Sequence, residues 1–284
     1  MPETDLTFLP DIQYASPDGI PLCLDVLMPT RLTEPTPAVL RIDGCPAWGP
    51  GDRSSAMLPF VNPALAQAGF VTVAISVRHS GQATFPAQLH DVQAALSWLR
   101  SNPLSLPVDT DHIGVWGQSA GGHLAALAGL APGGGDVQAV VTISGPSDLL
   151  RPGGEMQIDR PSAVTALVGG DVSTHAEQLR AASPIAHVTA DAPPFLIIHG
   201  TSDETVPYEQ SEHLHHALHN AGAEVQLISV DGGHHNLRAD PDARYEGQIW
   251  YDVASEATRF FQYYLASATK CIGSPKPRSV IPAV

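Results

Sequence analysis

Six short apolar runs recur along the chain, separated by longer stretches with helical periodicity. The runs are Ala38-Val-Leu-Arg-Ile42, Phe70-Val-Thr-Val-Ala-Ile75, Ile113-Gly-Val-Trp116, Ala139-Val-Val-Thr-Ile143, Phe195-Leu-Ile-Ile198 and Val225-Gln-Leu-Ile-Ser-Val230. A strand that is apolar almost throughout must be buried on both faces, which a sheet achieves when helices cover both sides. Between the runs, Leu89, Val92, Leu96 and Leu99 recur at three- and four-residue steps and make one apolar helix face. Residues 207–221 and 243–265 are further helix candidates. This alternation predicts a doubly wound, mostly parallel α/β sheet. Ahead of it, residues 11–16 and 21–28 alternate around Pro17-Asp-Gly19, which predicts a hairpin.

The length of 284 residues, 43% of them hydrophobic, fits one large domain with a sizeable core. One α/β domain is expected over 1–268. Its rhythm breaks between about 145 and 183, a Pro- and Gly-containing stretch that reads as a cap inserted over the sheet. The tail, 269–284, is expected to be loosely ordered. Lys plus Arg number 14 against 29 Asp plus Glu, a net charge of −15. That balance argues against nucleic acid and anionic membrane as partners, because both call for a basic face. No apolar run approaches the roughly 18 residues of a membrane helix. The three cysteines, Cys23, Cys45 and Cys271, form no C-x-x-C pair and fit neither a disulfide framework nor a thiolate zinc site. The N-terminus has neither the basic nor the apolar region of a signal peptide, so a cytoplasmic setting is the expectation.

The chemistry begins at Gly117-Gln-Ser-Ala-Gly121, a G-x-S-x-G pattern. The bare pattern is unspecific, but its context is informative. The run Ile113–Trp116 leads straight into it, and a helical His123-Leu-Ala-Ala-Leu-Ala128 follows. A strand-to-helix elbow this tight admits only small neighbours, lifts the Ser119 hydroxyl above the sheet edge, and aims the Ala120 N–H at developing negative charge. A serine hydroxyl needs a base, and the base needs an orienting acid. Asp203 follows the carboxyl end of the fifth run, where sites lie in open α/β sheets. Glu204 is the adjacent rival. After the sixth run comes Asp231-Gly-Gly-His-His-Asn-Leu237, in which either His234 or His235 could be the base. Four histidines at 213, 215, 216 and 219 share a helix, but no carboxylate or cysteine completes a metal site with them, so no metal is expected. Arg78 and Asp91 read as a structural polar anchor.

Taken together, these motifs resemble the α/β-hydrolase fold serine esterases, in particular the branch of bifunctional feruloyl/acetyl-xylan esterases and other short-chain carboxylesterases. The resemblance spans about residues 11–268. It rests on Phe85-Pro-Ala-Gln-Leu-His-Asp91, Gly117-Gln-Ser-Ala-Gly-Gly-His-Leu124, Ala182-Ser-Pro-Ile185, Asp203-x-x-Val-Pro207 and Gly232-Gly-His-His-Asn-Leu237. It implies Ser119, Asp203 and His235 as the catalytic triad. One stretch departs from the family. Where the family carries H-G-G-(G/A)-W, this chain has Asp43-Gly-Cys-Pro-Ala-Trp48, followed by Gly51-Asp-Arg53. Pro46 has no N–H to give, so the oxyanion hole is expected to combine Ala120 with Cys45, with Gly44 or Ala47 as alternates. Asp43 is expected to shape the loop as an Asx turn.

The resemblance implies a cofactor-free hydrolase of carboxylic esters, short-chain acyl or feruloyl/acetyl, on small molecules including carbohydrates. Amidase or aryl-formamidase chemistry on the same triad is the alternative, and a non-catalytic small-molecule receptor is the reading from another class. The oligomeric state is not encoded in these motifs. The inserted stretch 144–184 has no aromatic residue, and its apolar residues are split by Arg, Pro, Gly and Asp. It can close a modest pocket but makes a poor lipid-facing lid.

Overall fold

The computed structural model describes residues 5–43, 46–50, 60–102, 104–151, 161–239, 247–265 and 279–282. Nine strands form one sheet among them: β1 (Leu6–Ala15), β2 (Leu22–Pro29), β3 (Thr36–Ile42), β4 (Val71–Ile75), β5 (Val108–Gln118), β6 (Ala139–Ile143), β7 (Phe195–Gly200), β8 (Val225–Asp231) and β9 (Val280–Pro282). The order is β1-β2-β4-β3-β5-β6-β7-β8-β9. β1 and β2 form the predicted hairpin, and β2 also runs antiparallel to β4; from β4 onward every pairing is parallel. The doubly wound sheet read from the apolar runs is therefore the fold of the chain.

Seven α-helices among the described residues accompany it: α1 (Val61–Gln67), α2 (Ala87–Ser101), α3 (Ala120–Leu130), α4 (Pro161–Val168), α5 (Ala176–Ala181), α6 (Glu209–Ala221) and α7 (Gly247–Tyr264). Alternate residues of the buried strands serve opposite layers. Leu40, Val73, Val115, Val140 and Ile197 pack under α2, α3 and α6. Val39, Trp116, Val141, Leu196 and Ile198 pack against α1 and α7. Each fully buried Leu, Ile or Val contributes about 1.5–3 kcal/mol, so the two layers together hold the sheet. The predicted polar anchor is formed. Arg78 Nη2 meets Asp91 Oδ1 at 2.8 Å and the Arg78 N–H donates to Asp91 Oδ2 at 2.8 Å, tying the segment after β4 to α2, while Nη1 reaches Asp18 in the hairpin turn.

One feature adds to the sequence reading and one differs from it. The stretch over the sheet contains the short helices α4 and α5, whose Val164, Leu167, Val168 and Leu179 build a third apolar cluster with Trp48, Ala120 and Val206. The chain after Lys270, expected to be loose, supplies β9, paired with β8 from Ser229 to Asp231. Ile281 is buried there, and that side chain gives the end of the chain its reason to dock. No helix among the described residues is long and apolar enough to cross a membrane.

Candidate active site

The site lies where the parallel strands end. β5 terminates at Gln118, and Ser119 turns the chain into α3 with φ 54° and ψ −123°. A non-glycine residue held there costs about 1–3 kcal/mol and needs its surroundings to enforce it. The enforcement is close packing. A Cβ on Gly117 would lie 2.3 Å from the backbone of Gly121. The Ser119 N–H also donates to Ile143 O at 2.8 Å, fastening the elbow to the end of β6. Ala120 opens α3, so its N–H has no intrahelical acceptor and is available to an anion.

The loops after β7 and β8 are pressed together in the same manner. A Cβ on Gly200 would meet Gly233 O at 2.2 Å, and the Ser202 N–H donates to that same carbonyl at 2.9 Å. Leu237, wholly buried, roots the β8 loop in the core. This contact brings Asp203 and His235 together. His235 Nδ1 stands 2.8 Å from Asp203 Oδ2 and 3.1 Å from Oδ1; His235 Nε2 stands 3.0 Å from Ser119 Oγ. Facing two carboxylate oxygens, Nδ1 carries the proton, which leaves Nε2 free to accept from the serine hydroxyl. Asp203 Oδ1 also accepts the N–H groups of Thr205 and Val206, each at 2.9 Å. Burial pushes the Asp203 carboxyl upward, but hydrogen bonds from His199 and His235 outweigh it and hold the group well below the usual carboxylate range.

The rival residues point elsewhere. His234 Nδ1 lies 2.8 Å from Glu204 Oε2, a partly exposed pair beside the Ser119–His235–Asp203 line. On the opposite wall, Gly44, Cys45 and Gly51-Asp-Arg53 fall outside the described residues. Ala47 and Trp48 are described, and both line a cavity of about 20 Å³ with Ser119, Ala120, Pro146, Val164 and Val206. That is room for about one or two waters. Asp43, where the family has histidine, is buried and sits 3.5 Å from Arg41 Nη2, so its charge is compensated. A larger groove of about 830 Å³ lies at the amino ends of β5–β7, between Arg100, His112, Gln138 and Tyr264, remote from these groups. Among the described residues no group of three or more His, Cys, Asp or Glu is placed to hold a metal ion.

Two buried histidines carry contacts that the sequence reading left without a role. His199, the last-but-one residue of β7, places Nε2 3.0 Å from Asp203 Oδ2. His123, one turn into α3, accepts the indole N–H of Trp48 on Nδ1 at 3.1 Å and donates from Nε2 to Ala182 O at 2.6 Å. It thereby joins the elbow helix to the facing loop and to the segment closing the cap. Burial pushes its imidazole down to about 4. Each had a signal in the sequence: one polar ring closing an apolar strand, and one inside a helix of otherwise small and apolar residues.

The chain is similar to known esterases. Probable carboxylic ester hydrolase LipM of Mycobacterium tuberculosis is 34% identical over 192 residues, 63% of this chain and 44% of LipM. Esterase LipQ of the same organism is 32% identical over 242 residues, 79% of this chain and 56% of LipQ. The chain thus spans about half the length of these curated relatives. Among solved structures, a truncated carbohydrate esterase from gut microbiota superposes with a TM-score of 0.76 at 29% identity, covering 94% of this chain and 99% of that one. The BD-FAE family model matches residues 24–218, and the chain belongs to the BD-FAE family.

Proposed function

We propose that the protein is a serine esterase that hydrolyses short-chain carboxylic esters, acetyl esters on carbohydrate among them. The observation that carries this reading is the line Ser119 Oγ–His235 Nε2 at 3.0 Å and His235 Nδ1–Asp203 Oδ2 at 2.8 Å, opening on a cavity of about 20 Å³. His235 takes the Ser119 proton as the oxygen attacks the ester carbonyl, and Asp203 stabilises the imidazolium that forms. The Ala120 N–H and a second N–H from the Cys45–Ala47 stretch receive the oxyanion. His235 then returns its proton to the leaving alcohol, and water activated by the same imidazole releases the acid. A cavity this small, walled by Trp48, Pro146, Val164 and Val206, favours acetyl over longer acyl groups. The carbohydrate esterase among the similar structures supports an acylated sugar as the alcohol side.

The test is a panel of p-nitrophenyl esters from acetyl to palmitoyl, with methyl ferulate, acetylated xylo-oligosaccharides and matched amides, alongside a fluorophosphonate and intact mass. Turnover should fall as the acyl chain lengthens, and one adduct should form, on Ser119. Ser119→Ala and His235→Ala should each lose roughly 10³-fold or more. His234→Ala should stay within about threefold, because an exposed pair contributes about 0–1 kcal/mol. Faster turnover of palmitoyl esters or triolein emulsions would make the protein a lipase.

A further inference from the structure

Asp203 is held by two histidines, and the reaction described above employs one of them. His199 is fully buried. Its Nε2 faces two oxygen acceptors, Asp203 Oδ2 at 3.0 Å and Val206 O at 2.9 Å, so Nε2 carries the proton. Its Nδ1 lies 2.6 Å from Ser211 Oγ on α6 and accepts a hydrogen bond from that hydroxyl. The result is a line of five side chains, Ser119–His235–Asp203–His199–Ser211, with the carboxylate between two serine–imidazole pairs. Ser211 and His199 are sealed from solvent, so the inner pair cannot meet a substrate. The outer pair can: the His235 side chain is 18% exposed.

Both imidazoles donate to the same oxygen, Oδ2. A proton donor on a carboxylate draws charge away from it and weakens it as an acceptor for any other donor. We propose that His199 is a positioning residue, which through its Nε2–H fixes the Asp203 carboxylate and limits the basicity that Asp203 confers on His235. This role rests on the serine esterase reading. The other charged groups packed around the line have partners of their own. Glu204 pairs with His234, and the Asp148 carboxylate, on the segment after β6, accepts the Leu150 N–H. The Tyr208 ring stands edge-on to His199 at 5.7 Å with its hydroxyl bonded to Ser229. The Asp203–His199 contact is therefore a direct control on the acid that serves His235.

The direction of the effect follows from charge. Without the His199 donor, Oδ2 keeps more negative charge, the His235 imidazolium is better stabilised, and His235 titrates at higher pH. Two substitutions separate this from simple packing. His199→Gln sets an amide N–H near the Nε2 position, within reach of Asp203; His199→Asn sets it near Nδ1, facing Ser211 and short of Asp203. The His235 imidazole is titrated by NMR in each full-length variant, and kcat and KM for p-nitrophenyl acetate are followed against pH. In His199→Asn the His235 midpoint and the acid limb of kcat/KM should both rise by about half a pH unit. There kcat should fall roughly tenfold while KM stays within about twofold, as for a misplaced catalytic group. His199→Gln should hold both midpoints at the wild-type value. Midpoints that stay put in both variants, or move equally in both, overturn the proposal. A wild-type protein inert to every ester and to the fluorophosphonate would overturn the esterase reading, while the NMR midpoints would still decide what His199 does to His235.

Discussion

The cavity at Ser119 has two walls, and they are built differently. The elbow wall is held by the absence of side chains: Gly117 lies against the Gly121 backbone, and Ala120 follows the strained serine. The facing wall, at Ala47 and Trp48, is held by polar contacts with distant partners. The Trp48 indole reaches His123, 75 positions further along the chain, and the Trp48 carbonyl accepts the Ser80 N–H at 2.8 Å. Close packing of backbone makes one wall stiff and intolerant of added volume. Buried polar contacts make the other wall specific, and sensitive to the loss of a single donor or to a change in protonation.

The sharpest way to break the comparison is to add one methyl group to the elbow. In Gly117→Ala the new Cβ meets Gly121 C and O at 2.3 Å, and backbone cannot yield as a side chain can. A loss of at least about 3 kcal/mol is expected, in the upper range for overpacking, visible as a lower urea midpoint or as insoluble protein. An unchanged urea midpoint would mean that the elbow is looser than these contacts imply.

The two walls also differ in how far they could be read from the sequence. The elbow was legible because its determinants are contiguous: an apolar strand, G-x-S-x-G, then a helix of small residues. Asp203 was legible as the first carboxylate after β7, and His234 and His235 as the two histidines after β8. Choosing His235 over His234 took a family resemblance, because two adjacent histidines in one loop are equivalent until the Gly200–Gly233 contact sets their direction. The facing wall was not legible, because nothing near Trp48 announces His123 as its partner. Nor did local sequence show that Asp43 would sit beside Arg41, although the two share a face of β3 and its continuation. β9 escaped for a similar reason: three residues of strand character gain meaning only beside the edge of β8.

A change of pH should strain the polar wall and leave the packed one alone. His123 is buried and neutral, and burial lowers its titration from the ordinary value of 6.5 to about 4. In the unfolded chain it takes up a proton as the pH falls through 6.5, whereas in the folded protein it does not until about 4. Its contribution is thus complete above pH 6.5, is lost as the pH falls toward 4, and changes no further below that. The interval corresponds to about 3 kcal/mol. Asp203, held low in the folded state, loses its contribution in a separate and more acid window, below the ordinary carboxylate range. Urea midpoints measured between pH 7 and 4 should decline in the wild type and decline less in His123→Gln, which has no proton to gain. Parallel curves for the two proteins would show that His123 is not the group being titrated.

Trp48→Phe should have the smallest effect and separates the walls most cleanly. Phenylalanine keeps most of the buried ring but removes the indole N–H, leaving His123 Nδ1 without its donor in a site closed to water. An unsatisfied buried acceptor costs about 1–3 kcal/mol, and the wall can recover part of that by shifting the 46–48 loop. The elbow, with its own glycine contacts, has no reason to move, so Ser119 should still be labelled to completion by a fluorophosphonate. Ester turnover depends on more than the nucleophile. If this loop supplies the second oxyanion donor, a shift of a few tenths of an ångström weakens a contact made in the transition state and not in the ground state. Such a loss lowers kcat and spares KM. A fall in kcat of roughly tenfold is expected, less than the 10²–10³ seen when an oxyanion donor is removed outright, because here the donor is displaced and not deleted. A rise in KM with kcat unchanged would instead assign Trp48 to the substrate-binding surface, and the two walls would then share the work of holding the acyl group and not that of stabilising its oxyanion.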